Sequence, residues 1–498
     1  MGVVIRQGAK SSVVSYFSII LGFVNTIIIY PLTLEIEQLG EIQFVLQSAI
    51  LILPFLLFGF SSVSSKFFSK YNGSNKEVSG FLTFLYIPPI LTGFSLIVLY
   101  YLFHESIFDF FNTDKEVSKE ALNAIPLIAI FMSFSSISSS FSANLKRIAI
   151  PNFLNNLIKI ILPILCLGYY FKLFDFSIIY LVLVLFYLIL IVIFFLYIKS
   201  ISKISLNTKF TRSLNKPRLL GMLKFASFGV LASIGSQVAT RIDSVMVTTL
   251  KSTYDNGIYS VAMFISNTVM VPLTLVAAIA TPLIASHWQS KNMDELNIIY
   301  RKSSINLFVL GLGVFLVIWA AIDPLFAMMP RGSEFKAGKM VILILGVAKL
   351  LDMASGLNSQ ILSMSPKYVV FFYFVLGLSF LNVFLNIKLI PLFGINGAAI
   401  STLISLSAFN LLKYFYVKYK YNLDPITLDL FKVGVLGVMI FIMLEYSPKF
   451  GSELMNLFIP PALTLGLYVF AILKMNVSED VNLIFNNILK KVYSLFGR

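Results

Sequence analysis

The chain has 498 residues, 58% of them hydrophobic and only 12% charged, with a mean hydropathy of +0.88 and a formal net charge of +15. Soluble domains carry roughly twice that charged fraction, and no soluble interior hides so much apolar side chain, so a water-soluble fold is excluded. The positive balance does not point to nucleic acid. The Lys and Arg residues fall in short loops between apolar runs, where they set topology and meet anionic lipid, and no basic-aromatic binding surface appears.

A membrane span needs about twenty apolar residues. Runs of that length lie near 13–34, 42–65, 81–103, 121–143, 151–171, 176–198, 224–250, 257–285, 303–325, 339–362, 368–388, 396–417, 427–446 and 455–474. The first follows Arg6 and Lys10, is too long for a signal h-region and lacks a small-residue cleavage site, so it reads as a span. The expected fold is an all-α integral membrane protein of about fourteen transmembrane helices.

The loops alternate in charge. One set holds Arg6 and Lys10; Lys66, Lys70 and Lys76; Lys146 and Arg147; the basic 199–224 segment; Lys291, Arg301 and Lys302; Lys367; Lys413, Lys418 and Lys420; and the tail. The other set holds Glu35, Glu37 and Glu41, then Glu105 to Glu120, Asp255, Glu445 and Glu453. The basic set is expected to be cytoplasmic and contains both termini, so the number of spans is even. The organisation is an N-terminal lobe (1–199), a basic linker (200–223), a C-terminal lobe (224–420), an added pair of spans (421–476) and a tail (477–498). In the tail Val481, Ile484, Ile488, Val492 and Leu495 recur at helical spacing beside Lys490, Lys491 and Arg498, the pattern of an amphipathic helix lying on the membrane surface.

Two stretches resemble each other. LEIEQLGEIQFVLQSAILI and LKSTYDNGIYSVAMFISNT align Gly40 with Gly257, and the helices that follow reach Lys70 and His287 at equal distances from those glycines. Pro151 and Pro366 open the fifth and eleventh spans. Six spans per half is an even number, so the halves share one orientation. They would be related by a pseudo-two-fold axis along the membrane normal, with a central cavity between lobes as in many secondary transporters.

Five ionisable residues are read as lying inside spans: Lys159, Arg241, Asp243, Lys349 and Asp352. Each costs roughly 2.5–3.5 kcal/mol to insert, so each is expected to face a cavity or a partner. Ser233, Gln237, Arg241, Ser244 and Thr248 form one polar stripe on the seventh span. Asp243 is two residues from Arg241 and so about 200° around the helix, which assigns Arg241 to a cavity and Asp243 to a neighbouring helix. Lys349 and Asp352 share a face and are able to neutralise each other. Asn155 and Asn156 accompany Lys159, while Asn25, Asn144 and Asn267 add polar groups that often serve as glue between helices. The serine-dense SFSSISSSFSAN of the fourth span favours close packing over chemistry. Three cations against two acids suit an anionic, phosphate-bearing substrate. The substrate-cavity candidates are therefore Arg241, Lys159, Lys349, Gln237, Asn25 and Asn267, with Asp243 and Asp352 as ion-pair or coupling candidates.

Other chemistry finds no support. Cys166 is the only cysteine, and His104 and His287 flank different segments, so no Cys/His metal site is expected. No Gly-rich phosphate loop with Lys-Ser/Thr appears, and the outer loops near 104–120 and 326–338 carry no evident acid/base or nucleophile pair.

The stretch LNVFLNIKLIPLFGINGAAISTLIS (381–405) resembles the signature around the eleventh and twelfth spans of Wzx-type polysaccharide flippases, relatives of MATE exporters and MurJ-like flippases. The block from Ser11 to Lys70, with its Gly40 turn, resembles them as well, as do the span count and basic central loop. The resemblance implies a transporter rather than an enzyme. Its substrate would be an oligosaccharide on an undecaprenyl diphosphate carrier, flipped from the cytoplasmic to the outer leaflet by alternating access. It also implies coupling to protons or sodium, no cofactor, and membrane lipids and polysaccharide assembly proteins as partners. Two rivals predict different features. A MATE-like drug exporter would have a carboxylate-dominated cavity, and a membrane polymerase or ligase would have a large catalytic outer loop.

Overall fold

The computed structural model describes residues 2–71, 75–112, 117–202, 216–446 and 450–483. Every regular element among them is a helix. Twelve helices are long and apolar enough to cross a membrane. In chain order they are α1 (Arg6–Thr33), α2 (Ile36–Leu57), α3 (Asn75–Leu102), α4 (Lys119–Asn144), α5 (Ala149–Tyr170), α6 (Ile178–Ser202), α7 (Pro217–Leu250), α8 (Thr253–Ser290), α9 (Met293–Met328), α11 (Tyr368–Phe393), α12 (Ile395–Tyr421) and α14 (Glu453–Met475). A bent pair, α10 (Gly332–Ala354 and Asn358–Met364, at 52°), makes thirteen. The expected thirteenth run is also helical, as α13 (Leu428–Glu445). It contains Asp429, Lys432 and Glu445, so length and composition alone do not qualify it as a span. Most of the proposed tail helix (Ile484, Ile488, Lys490, Lys491, Val492, Leu495, Arg498) and residues 203–215 of the basic linker lie outside the described residues.

By contacts the chain divides into two units, Met1–Ser260 and Val261–Arg498. In the first, α2 packs on α4 and α7, α4 packs on α6, and α1 packs on α5. In the second, α9 packs on α14 and α10, and α12 packs on α10 and α11. The α4–α6 pairing of the first unit thus has its counterpart in the α10–α12 pairing of the second. The serines of α4 serve packing: Ser133, Ser135, Ser138 and Ser142 donate to carbonyls of their own helix, and Ser140 donates to the Ser61 carbonyl.

The starts of α2 and α8 explain the repeat. Gln38 Oε1 accepts the Glu35 amide (3.0 Å) at the head of α2, and Ser252 Oγ accepts the Asp255 amide (3.1 Å) at the head of α8. Each is a first-turn cap closed from three residues away, which satisfies amides the helix itself leaves unpaired. Five residues beyond Glu35 and Ser252, which open the two caps, stand Gly40 and Gly257, and there the helices cross. A Cβ on Gly40 would lie 1.8 Å from the Thr253 carbonyl oxygen, and one on Gly257 would lie 2.2 Å from that of Ile36. Each glycine therefore faces the backbone one turn upstream of the other, a reciprocal contact open only to residues without a Cβ. Wholly buried Asn256 clasps the crossing: its amide donates to the Gly40 carbonyl (2.8 Å) and its oxygen accepts Ser244 Oγ of α7 (2.7 Å).

The LIPLFGINGAA stretch is a turn between α11 and α12. Gly394 sits at φ 58°, ψ −137°, and a Cβ on Gly397 would lie 2.1 Å from the Leu389 carbonyl. Side-chain sterics reserve that conformation for glycine, which gives the motif a physical reason.

Candidate functional site

α1 is not a uniform helix. A π turn spans Asn25–Ile29 and precedes Tyr30 and Pro31, and such turns leave local carbonyls free for side-chain partners. Along its inner face runs a polar ladder shared with α5. Asn152 Nδ2 donates to the hydroxyls of Ser11 (2.9 Å) and Ser15 (3.1 Å), and Ser18 Oγ donates to Asn156 Oδ1 (2.5 Å). At its deep end Lys159 Nζ donates to Ser18 Oγ (2.7 Å), and buried Asn25 donates to the Lys159 carbonyl (2.7 Å). Asn25 is thus spent on tying α1 to α5. Lys159 is half-buried and meets neutral oxygens, with no salt bridge among the described residues.

On α7, Arg241 Nη1 donates to Gln47 Oε1 of α2 (3.0 Å), and Gln47 in turn donates to Gln43 (3.4 Å). Its Nε is buried without a partner. A guanidinium with five donors and a single neutral side-chain acceptor holds spare capacity for an anion. Gln237, one turn earlier, is half-buried. Asp243 lies on the other side of the helix, as the 200° offset requires; it is 7% exposed and accepts the Tyr259 hydroxyl of α8 (3.1 Å).

The remaining candidates belong to the second unit. Asn267 is exposed where α8 passes through a short 3-10 turn, Thr268–Met270. Lys349 and Asp352 are half-buried on the first part of α10. The reading of Lys413 as a cytoplasmic loop residue is corrected here: it is wholly buried within α12. Its ammonium donates to Asn358 Oδ1 (2.9 Å) and Ser359 Oγ (2.7 Å), at the break in α10, and lies 3.9 Å from the Phe409 ring centroid. Asp352 is close enough to act on its charge. Thr402, Ser405, Phe409, Lys413 and Val417, all buried, recur every three or four residues, so a helix drawn through Lys413 carried the signal. Glu41, grouped with the outer acids, is also buried (6% exposed) and accepts the Ser118 amide (2.6 Å) at the head of α4. No cluster of His, Cys, Asp and Glu able to hold a metal occurs among the described residues.

Residues 5–288, more than half the chain, match the family described as polysaccharide biosynthesis protein. The chain belongs to that family. The family match covers the Arg241 and Lys159 regions and the Gly40–Gly257 crossing. Probable flippase AglR of Haloferax volcanii is 27% identical over 256 residues, which cover 49% of this chain and 52% of that protein. The chain thus spans about half the length of this relative. Among solved structures, the lipid II flippase MurJ in an inward closed conformation superposes with a TM-score of 0.71 at 18% identity, over 98% of this chain and 99% of MurJ. An inward-facing MATE family multidrug resistance transporter of the MOP superfamily gives 0.63 at 13% identity, over 81% and 94%. At these identities the likeness is one of fold: the chain has the multi-pass, all-helical fold of these MurJ and MATE structures.

Proposed function

We propose that this protein is a flippase that turns an oligosaccharide on an undecaprenyl diphosphate carrier from the cytoplasmic to the outer leaflet by alternating access. The observation that carries the reading is Arg241, half-buried on α7, held by one neutral oxygen and keeping a buried N–H without a partner. A diphosphate offers oxygens in the planar, paired arrangement that a guanidinium binds best. Lys159, supported by Ser18, would supply a second charge of the same sign. Membership in a polysaccharide biosynthesis family supports a sugar cargo, and the flippase names of AglR and MurJ support the direction of chemistry: translocation, with no bond made or broken. Both termini in the cytoplasm, a bacterial cytoplasmic membrane, and coupling to protons or sodium through Asp243 or Asp352 belong to the same proposal, as do assembly proteins as partners.

The test is Arg241→Ala in a strain that depends on this protein. Surface polysaccharide is expected to fall at least tenfold at unchanged protein level, with Arg241→Lys giving partial recovery because it restores charge but not the paired donors. Normal polysaccharide at normal protein level would remove Arg241 from the site. A small-cation exporter is the weaker reading: it needs a free carboxylate, and Asp243 is engaged by Tyr259.

A further inference from the structure

The second unit contains a cavity of about 930 Å³, walled by α9, α10, α12 and α13. That is near the upper end of the roughly 300–1,000 Å³ typical of small-molecule sites. Its walls are almost wholly apolar; its few polar residues are Tyr300, Ser355, Ser407, Asn410 and Tyr414, and Pro425 and Ile426, at the α12–α13 turn, complete the lining.

Lys413 fixes the chemistry of that polar end from behind the wall. An ammonium has donors only, so Asn358 must turn its oxygen toward it (2.9 Å). The Asn358 amide nitrogen then faces Asn410 Oδ1 (3.4 Å). Asn410 ends this chain of bonds with its own amide nitrogen buried (4% exposed for the residue) and without a partner. An unpaired donor inside a membrane protein is costly and calls for an acceptor. The cavity that Asn410 lines offers space for one. Basic groups stand at the α12–α13 turn: Lys418 bonds the Tyr414 hydroxyl (2.8 Å) and pairs with Asp424 (2.9 Å), while Arg301 donates to the Asp424 backbone carbonyl (2.9 Å), so two cations there face one carboxylate.

We infer that this cavity is a binding site for an anionic phospholipid. An acyl chain fills the apolar part, and a phosphate or ester oxygen accepts from Asn410, on the side of the cavity that leads to the basic α12–α13 turn. The basic side of the protein is where anionic headgroups concentrate. The site uses none of the first unit's cations and stands independently of the flippase proposal.

The test uses the full chain, purified in detergent and titrated with lipid while thermal unfolding is followed. Two variants keep it falsifiable. Gly434 lies on the α13 wall, and a Cβ there would meet nothing closer than the Phe308 ring at 3.9 Å, so Gly434→Leu adds bulk to the cavity from a position with room at its Cβ. Asn410→Leu removes the donor. Phosphatidylglycerol is expected to raise the melting temperature of the wild type by about 5 °C more than phosphatidylcholine does. Gly434→Leu should respond to neither lipid, and Asn410→Leu should respond to both alike. Equal responses in the wild type, or an undiminished response in Gly434→Leu, would overturn the site. The same shift from inorganic phosphate alone would overturn the role of the chain, and preferential binding of a polyprenyl phosphate would overturn the assignment to phospholipid.

Discussion

Gly40→Ala is expected to destabilise the protein by about 3 kcal/mol or more, and Gly257→Ala by a similar amount, because each added methyl meets backbone rather than a movable side chain. The oxygen of Thr253 would stand 1.8 Å from the first Cβ and that of Ile36 2.2 Å from the second. Neither can retreat without parting α2 from α8 and breaking the Asn256 bond to the Gly40 carbonyl. Gly377→Ala is the matched control. A Cβ there meets nothing within 4 Å, so the helix gains roughly 0.5–1 kcal/mol from the lost backbone freedom of glycine. Thermal melting of the three variants in one detergent should give two large decreases and one small increase. Because the crossing is reciprocal, the double variant Gly40→Ala/Gly257→Ala should lose less than the sum of the singles, since one separation relieves both clashes.

Lys413→Met is expected to cost about 2–4 kcal/mol. The methionine nearly matches the lysine stem in volume, so the loss isolates the ammonium. Without it Asn358 Oδ1 and Ser359 Oγ lose their donor, and half-buried Asp352 loses a nearby opposing charge. Lys420→Met, on the same helix but exposed, should stay within about 0.5 kcal/mol of the wild type. If Asp352 is the group left uncompensated, adding Asp352→Asn to Lys413→Met should recover part of the loss. A Lys413→Met variant as stable as Lys420→Met would mean that the ammonium is not a structural tie between α12 and the break in α10.

What the sequence made legible was what a bilayer dictates. Runs of twenty apolar residues became helices, because no other backbone arrangement except a closed barrel satisfies its own polar groups in lipid. The opposite faces of Arg241 and Asp243 followed from helical geometry alone, and the Gly40–Gly257 correspondence turned out to be a contact. The losses came where a boundary rule replaced a physical one. Lys413 and Glu41 lie close to span ends, so the charge pattern of loops assigned them to water. Yet a lysine with Asn358 and Ser359 as hydrogen-bond acceptors, or a carboxylate with a helix amide as donor, is stable when buried. The π turn at Asn25 and the break of α10 at Gly356 (φ 60°) left no periodic trace, because each changes the helix over a single turn. Asn25 looked available for a ligand, but its position opposite the Lys159 carbonyl depends on how α1 meets α5, which no single helix encodes.

The central claim is movement of a lipid-linked sugar. Its most direct measurement places the purified protein in liposomes loaded with an undecaprenyl-diphosphate oligosaccharide and follows access of an external glycosidase to that sugar over time. The account predicts that the wild type equilibrates the lipid between leaflets and that Arg241→Ala, at equal incorporation, does so at least tenfold more slowly. A wild-type protein that leaves the oligosaccharide in its original leaflet under any proton or sodium gradient, while exporting a small organic cation from the same vesicles, would contradict it.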